Sequence, residues 1–171
     1  MRKRIRQHLI DDWARLYGFA LSLTRDCDRA ADLLQQAALQ ALATKYLPQH
    51  ELAVRAWLFR IVRNTWIDIY RREAVRATED AECNAAPAMW SYDDRIIAEI
   101  TVTQGLARID VAHREIINLV DINGFRYAEA AEILGIPEGT VMSRLSRARL
   151  SLLEAIGGNV VAIESAKRRT S

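Results

Sequence analysis

The sequence predicts an all-α protein built from two small helical domains joined by a flexible acidic linker. Apolar residues recur at intervals of three and four through most of the chain, the spacing that places them on one side of an α-helix. No stretch shows the alternation that is typical of a half-buried strand. The periodicity stops between residues 74 and 95, where Glu79, Asp80 and Glu82 make the sequence acidic over a length too great for an ordinary turn. The predicted divisions are a first domain at 1–73, the linker at 74–95, a second domain with a helix-turn-helix at 96–157, and a mobile basic tail at 158–171.

Composition excludes several classes of protein. Half of the 171 residues are hydrophobic, which indicates a packed core. Cys27 and Cys83 lie far apart and outside any metal-binding spacing, so we expect reduced thiols, no disulfide, no metal and no cofactor. No apolar run approaches the ~20 residues needed to span a membrane, and no signal core follows the basic start, so a cytoplasmic protein without membrane insertion is expected. His8, His50 and His113 are scattered and no phosphate-binding loop is present, so we expect no enzyme activity.

Two helices are predicted before residue 45. The first runs from Ile5 to Leu23 on a stripe of Leu9, Trp13, Leu16, Ala20 and Leu23. Asp26 or Asp28 can cap the second helix, which reaches about Thr44. Its predicted buried residues are Ala30, Leu33, Leu34, Ala37 and Ala41. Its other side is polar but nearly uncharged, with Asp32, Gln35, Gln36 and Gln40, and a loop punctuated by Pro48 follows.

The predicted helix from Ala53 to Arg72 has one apolar side and one basic side. The buried side is formed by Leu58, Val62, Thr65 and Ile69, flanked by Phe59 and Trp66. The opposite side carries Arg60, Asn64, Asp68 and Arg71, with Trp57 and Ile61 beside them. Five arginines against one aspartate predict a surface that binds phosphates. An aromatic ring among arginines also suits stacking on unpaired bases, so Trp57 is equally compatible with the core and with DNA contact.

Helical periodicity resumes after the linker. Ile96, Ile100 and Leu106 mark one helix, which Asp93 or Asp94 can cap. Asp110 can cap a further helix from Val111 to Ile122, and Asn123-Gly124 ends it. The second domain therefore contains about four helices once the helix-turn-helix is included.

The stretch from Phe125 to Ile156 has the pattern of a helix-turn-helix. Its first helix, Arg126–Leu134, is closed by Gly135, and its second runs from Thr140 to about Ile156, where Gly157-Gly158 is expected to stop it. One side of the second helix is a buried stripe of Val141, Leu145, Ala148 and Leu152. Another side presents Thr140, Ser143, Arg144 and Arg147, which can donate to phosphates and reach base edges in the major groove. A solvated amphipathic helix is the alternative, but the preceding helix and the glycine turn favour DNA binding.

Three segments together resemble bacterial extracytoplasmic-function (ECF) sigma factors. The sequence RAWLFRIVRN at 55–64, with Asp68 and Arg71-Arg72, resembles their promoter-melting helix. ADLLQ at 31–35 is similar to the segment that binds the clamp helices of RNA polymerase. YAEAAEILGIPEGTV at 127–141, with SRLSRAR at 143–149, is similar to their −35-reading domain. The resemblance covers roughly residues 10 to 156 in the family's order, and it implies an alternative sigma factor that supplies promoter specificity and DNA melting.

The resemblance also implies roles for individual residues. Core polymerase would be contacted by Asp32, Leu33, Gln35 and Gln36. The −10 element would be bound by Tyr46, Gln49 and His50, which have suitable chemistry for a flipped base, and by Trp57, Arg60, Arg63, Asn64 and Arg71. The −35 element would be bound by Thr140, Ser143, Arg144, Arg147 and Arg149. The implied partners are core RNA polymerase, promoter DNA and an anti-sigma factor.

Some positions depart from the family pattern, and two other functions are possible. Met142 stands where the family often carries Lys or Arg, and Gln36 and Ala38 replace a common Glu and a bulky apolar residue. One alternative is a helix-turn-helix regulator that binds duplex DNA without polymerase, but it has no use for the 53–72 helix. The other is a sigma mimic that sequesters an anti-sigma factor, although such mimics can lose the DNA-facing arginines, which this chain retains.

Overall fold

A computed structural model of the chain describes residues 2–44, 48, 50–76 and 102–167. Within these ranges all regular structure is helical, as predicted. Tyr46 and Gln49, linker residues 77–95, the predicted caps and apolar positions at 93–100, and tail residues 168–171 fall outside the described residues.

The described part of the first domain contains four helices. They are α1 (Arg2–Asp11), α2 (Trp13–Thr24), α3 (Cys27–Ala43) and α4 (Glu51–Arg76). The prediction of a single helix over Ile5–Leu23 was wrong, because the backbone bends at Asp12 (φ −101°, ψ 6°). Asp12 is turned toward the core and its carboxylate lies 3.3 Å from Arg15 and 3.7 Å from Arg55. Trp13 was predicted on the buried side. The bend at Asp12 changes which side of the next helix faces the core, and Trp13 is 44% exposed.

Helix α3 matches its predicted bounds, cap and core. The Asp26 carboxylate accepts the backbone N–H of Arg29 at 2.8 Å, which satisfies one of the free donors at the start of the helix. All five predicted apolar residues are buried: Ala30, Leu33, Leu34, Ala37 and Ala41. Local spacing and one capping residue therefore account for this helix.

Helix α4 closes the core of the first domain. Phe59 is fully buried, and its ring centroid lies 5.2 Å from that of Phe19 on α2. Leu58, Val62 and Thr65 are buried on the same side, as predicted. The Thr65 hydroxyl donates to the backbone carbonyl of Ile61 and also contacts the side chain of Gln40, so it has partners in the interior.

The second domain also contains four helices within the described residues. A short helix, α5, spans 102–108. Helix α6 (Val111–Ile117) continues into one π-helical turn (Asn118–Ile122), and α7 (Tyr127–Leu134) and α8 (Glu138–Lys167) follow. Asp110 caps α6 by accepting the N–H of His113 at 3.0 Å, and Gly124 ends the π turn in the left-handed region (φ +69°), both as predicted. A Cβ on Gly105 would meet Ile156 at 2.8 Å, so glycine permits α5 to cross α8 closely.

Helices α7 and α8 form the predicted helix-turn-helix. Gly135 ends α7 in the left-handed region (φ +66°), and Val141, Leu145 and Ala148 of α8 are buried against the domain. The predicted stop at Gly157-Gly158 was wrong, because α8 continues through both glycines to Lys167. Glycine ends a helix by adopting the left-handed conformation, whereas within a helix it costs only about 1 kcal/mol relative to alanine.

The two domains pack against each other. Helix α4 contacts α7, and α2 contacts α6. Phe125, which precedes α7, lies edge-on to Phe59 of α4 with ring centroids 4.8 Å apart. The cores of the two domains therefore meet at an aromatic contact. No helix among the described residues has the length and apolar character needed to cross a bilayer.

Candidate nucleic-acid interface

The outer side of α4 presents the predicted phosphate-binding residues. Arg60, Asn64, Asp68 and Arg71 are all exposed, and α4 positions them on successive turns of one rigid element. Within the described part of the chain neither Arg60 nor Arg71 is paired with a carboxylate. Two guanidinium groups are thus available to an external anion.

Trp57 lies at the edge between the two domains. Its side chain is half-buried and lines a cavity of about 100 Å³ together with Arg60 of α4 and Glu132 and Ile133 of α7. Trp57 is therefore neither a core residue of the first domain alone nor a freely exposed ring.

Arg63 is bound to the other domain. Its Nε donates to Oε1 of Glu115 on α6 at 2.5 Å, and the two side chains are 19% and 5% exposed. Burial raises the pKa of the Glu115 carboxyl above its ordinary value of 4.5, while the charges of Arg63 and Arg144 act in the opposite direction. A predicted DNA-binding arginine of the first domain is thus occupied by a carboxylate of the second.

Two further arginines join the domains. Arg55 donates to the backbone carbonyl of Asn123 at 2.6 Å, and its guanidinium lies 4.6 Å from the centroid of the Phe125 ring. Arg114 is buried and donates to three carbonyls, at 2.5 Å to Ser22 of α2, 3.0 Å to Ile109 and 3.1 Å to Leu106. Burial, together with the charge of Arg25, lowers the pKa of Arg114 to about 10, while the charge of Asp110 acts in the opposite direction.

The start of α8 presents the predicted major-groove residues. Ser143 and Arg147 are exposed, and Thr140 and Arg144 are half-buried. The Ser143 hydroxyl donates to the Thr140 carbonyl at 3.2 Å, and Arg147 Nε donates to the Ser143 carbonyl at 3.3 Å. These contacts are weak and local, so the side chains can exchange them for contacts to a ligand.

Arg149 lies apart from that group. Its guanidinium makes two hydrogen bonds to Asp121, at 2.6 and 3.0 Å, and these raise the pKa of Arg149. It borders a groove with Tyr127 and Met142 rather than the side that carries Arg147. Although the sequence placed Arg149 with the −35 residues, the structure gives it an intradomain partner.

The predicted polymerase-binding residues do not share one surface. Asp32, Gln35 and Gln36 are exposed on α3, whereas Leu33 is 1% exposed and belongs to the core. Leu33 is therefore covered by the core in this structure, and its contact with polymerase stays a prediction. His50 is exposed directly before α4, and it is the described member of the predicted base-capture set.

Sequence reasoning missed the residues that join the domains. Arg114 and Glu115 are buried within a run in which every residue from 114 to 119 is buried or nearly so. A helix that is buried on all sides has no amphipathic pattern to show which polar residue meets which partner. In the described residues no group of three or more His, Cys, Asp or Glu side chains could hold a metal ion.

Comparisons with known proteins identify both domains. Residues 4–76 match the family sigma-70 region 2, and residues 102–152 match the family sigma-70, region 4. The chain is 38% identical over 140 residues to the ECF RNA polymerase sigma factor EcfG of Rhodopseudomonas palustris, covering 80% of this chain and 76% of that protein. It is 34% identical over 145 residues to the ECF RNA polymerase sigma factor SigM of Mycobacterium tuberculosis, covering 83% and 71%.

Two solved structures share the arrangement of the helices. One is the sigma factor RpoE in complex with the anti-sigma factor NepR from Bartonella quintana, with a TM-score of 0.74, 30% identity and coverage of 91% of this chain and 98% of that one. The other is CnrH in complex with the cytosolic domain of CnrY, with a TM-score of 0.64, 25% identity and coverage of 92% and 90%. Both comparisons span the two domains together.

Proposed function

Because the chain belongs to the ECF family of RNA polymerase sigma factors, we propose that its two basic helices bind the two elements of a promoter. In this proposal α4 binds the −10 element and helps to melt it, and the start of α8 reads the −35 element. The protein binds core RNA polymerase as a subunit, in the cytoplasm, and supplies specificity without covalent chemistry.

The order of the two matched regions along one chain carries the proposal. A region 2 match followed by a region 4 match accounts for both basic helices at once. Exposed Arg60 and Arg71 on α4, together with exposed Ser143 and Arg147 on α8, support assignment of the contacts to these sides. A regulator that binds duplex DNA without polymerase leaves the first domain without a function.

We also propose an anti-sigma factor as a regulatory partner. RpoE was solved with the anti-sigma factor NepR and CnrH with the cytosolic domain of CnrY, and this chain shares the fold of both RpoE and CnrH. A partner that binds both domains at once can cover the proposed DNA-binding sides of α4 and α8 and so prevent binding to promoter and polymerase.

Transcription with purified components tests the function. Sigma-free core polymerase is incubated with and without this protein on a library of promoter fragments, and transcript 5′ ends are mapped. We expect discrete start sites that depend on the protein, with two conserved elements upstream. Binding to an anti-sigma factor without any binding to core polymerase would instead identify a sigma mimic.

Arg144→Ala is expected to weaken promoter binding by about 1–3 kcal/mol and to relax preference at one −35 position, since an arginine can pair with a guanine through two hydrogen bonds. Holoenzyme affinity for single-base variants of the −35 element measures both effects. The side chain of Arg149 is held by Asp121, so Arg149→Ala is expected to weaken promoter binding less than Arg144→Ala does. An equal loss on every sequence would show that Arg144 contacts a phosphate.

Trp57→Ala is expected to slow formation of the open complex roughly tenfold while duplex binding stays intact, because stacking on one unpaired base contributes about 1–3 kcal/mol. The rate of promoter opening is followed by the reactivity of unpaired thymines to permanganate. Trp13→Ala serves as a matched control, since Trp13 is on α2 and 44% exposed. An unchanged opening rate would assign Trp57 to packing.

A further inference from the structure

A cavity of about 340 Å³ lies between α2 of the first domain and α5 and α6 of the second. Its volume is in the range of small-molecule sites, about 300–1,000 Å³, and it has room for roughly ten water-sized groups. No residue of α4 or α8 lines it, so it is separate from the proposed DNA-binding sides. The lining combines apolar side chains with polar ones, among them Leu21, Leu106, Ala107, Arg25, Arg114 and Asn118.

Arg114 keeps an unused donor in this cavity. Its Nε and Nη1 donate to three backbone carbonyls, those of Ser22, Leu106 and Ile109. Within the described residues its Nη2 has no hydrogen-bond acceptor, and this nitrogen is not sealed from solvent. Because the side chain is only 6% exposed and lines the cavity, the two N–H groups of Nη2 can reach a molecule bound there.

Asn118 offers a second donor at the same cavity. Its Oδ1 and its backbone carbonyl both accept from the side-chain amide of Asn123. Its own Nδ2 has no acceptor in the part of the chain that the structure describes, and it too is not sealed from solvent. Asn118 is 6% exposed and begins the π-helical turn that follows α6. Single π turns of this kind occur frequently at functional sites.

Arg25 adds a positive charge at the mouth of the cavity. Its side chain is exposed and has no carboxylate partner among the described residues. Its backbone lies in the left-handed region (φ +60°), which glycine adopts without strain and arginine does not. After burial, the charge of Arg25 is the main cause of the lowered pKa of Arg114, so the two guanidinium groups lie close enough to repel each other. Asp110, whose charge acts in the opposite direction, is exposed and bonded to His113.

We propose that this cavity binds a small carboxylic acid with an apolar chain or ring. The two carboxylate oxygens accept from Nη2 of Arg114 and Nδ2 of Asn118, and their charge offsets that of Arg25. The apolar part lies against Leu21 and Leu106. The polar groups that are free in the cavity are all donors or cations, so an anion is favoured over a cation of the same shape. The inference does not depend on the proposed function.

Calorimetric titration of the full chain with octanoate tests the proposal. Octanoate carries one carboxylate on an apolar chain of about the size that the cavity admits, and we expect a single saturable site with Kd on the order of 0.1–1 mM. Octylammonium has the same chain and the opposite charge, so it is expected not to bind there. Acetate lacks the chain and should bind at least about tenfold more weakly than octanoate.

Asn118→Asp is the most informative variant. It keeps an oxygen that accepts from Asn123 and replaces Nδ2 with a charged oxygen. That oxygen repels a bound carboxylate and meets the same guanidinium groups, so octanoate affinity is expected to fall by more than about tenfold. Unchanged helix content by circular dichroism shows that the variant is folded.

Arg25→Gly gives a second variant that does not rely on a buried position. Glycine suits the left-handed backbone, so folding is expected to be retained. Loss of the cation at the mouth should weaken octanoate binding roughly fivefold, and Arg25→Lys should retain most of the affinity because it retains the charge. Arg6→Ala, which removes an exposed charge from α1, is the matched control and should leave octanoate affinity within about twofold of the parent.

Three results would overturn the inference. The first is the absence of saturable octanoate binding, and the second is equally tight binding of octylammonium. The third is unchanged octanoate affinity in folded Asn118→Asp, or in Arg25→Gly if Asn118→Asp does not fold. Leu150→Ser alters the separate groove beside Met142 and should leave binding intact, since a loss there would place the acid in that groove instead. No step uses DNA or polymerase, so a failure here leaves the proposed function standing.

Discussion

Phe59→Ala is expected to lower the free energy of unfolding by about 3–5 kcal/mol, the usual range for removal of a fully buried aromatic ring. Phe59 has no exposed surface and contacts the rings of both Phe19 and Phe125. The space it leaves is bounded by both domains, so the surrounding residues cannot collapse into it without shifting α4 against α7.

Urea unfolding followed by circular dichroism at 25 °C measures this loss. Leu39→Ala is the matched control, because Leu39 is an apolar residue that is 68% exposed, and its loss should lie within about 0.5 kcal/mol of zero. A loss below about 1 kcal/mol in Phe59→Ala would show that the aromatic contact between the domains contributes little in solution.

Arg114→Met is expected to destabilise the folded chain by about 3 kcal/mol, because it leaves buried carbonyls without a donor. Arg114 donates to Ser22, Leu106 and Ile109, and its aliphatic stem is replaced by one of similar length. Release of the arginine from its unfavourable burial, which lowers its pKa to about 10, offsets part of the loss.

Urea unfolding also measures this loss of stability, with Arg147→Met as the control. Arg147 is exposed and has one weak backbone contact at 3.3 Å, so its replacement should change stability by less than about 0.5 kcal/mol. If Arg114→Met is as stable as the parent, the carbonyl groups that Arg114 contacted form hydrogen bonds with water once the guanidinium is removed.

Local signals in the sequence were enough to predict most of the helices. Asp26 and Asp110 each cap the helix expected of them, and Gly124 and Gly135 take the left-handed conformation that ends a helix. These features depend on neighbours within four residues, so spacing reveals them. The family resemblance rested on the same segments, and the matches to sigma-70 regions 2 and 4 confirm it.

The errors have physical causes that spacing does not contain. Trp13 was placed on the buried stripe, but the bend at Asp12 turns that carboxylate inward to meet Arg55, a residue more than forty positions away. Gly157-Gly158 has the composition of a helix stop, yet glycine is also tolerated within a helix.

The candidate site was predicted as a set of residues but not as an arrangement. Leu33 and Arg149 are in the segments that the family uses, yet one is buried and the other is held by Asp121. No pattern in the sequence identifies Glu115 as an interface residue, because its partner Arg63 is 52 residues away in the other domain. Pairing of charges across an interface depends on tertiary structure and is invisible to periodicity.

Because α8 is uninterrupted, the predicted DNA-binding residues of the second domain lie at one end of a long helix. Thirty residues at 1.5 Å each give a helix of about 45 Å, whose first turns hold the predicted major-groove residues. Because Val141, Leu145 and Ala148 are buried against the domain, these side chains are carried on a firmly packed segment of the helix. Glycine restricts the backbone least of all residues, so the pair at 157–158 separates this packed segment from the final residues of α8 at a point where bending costs little.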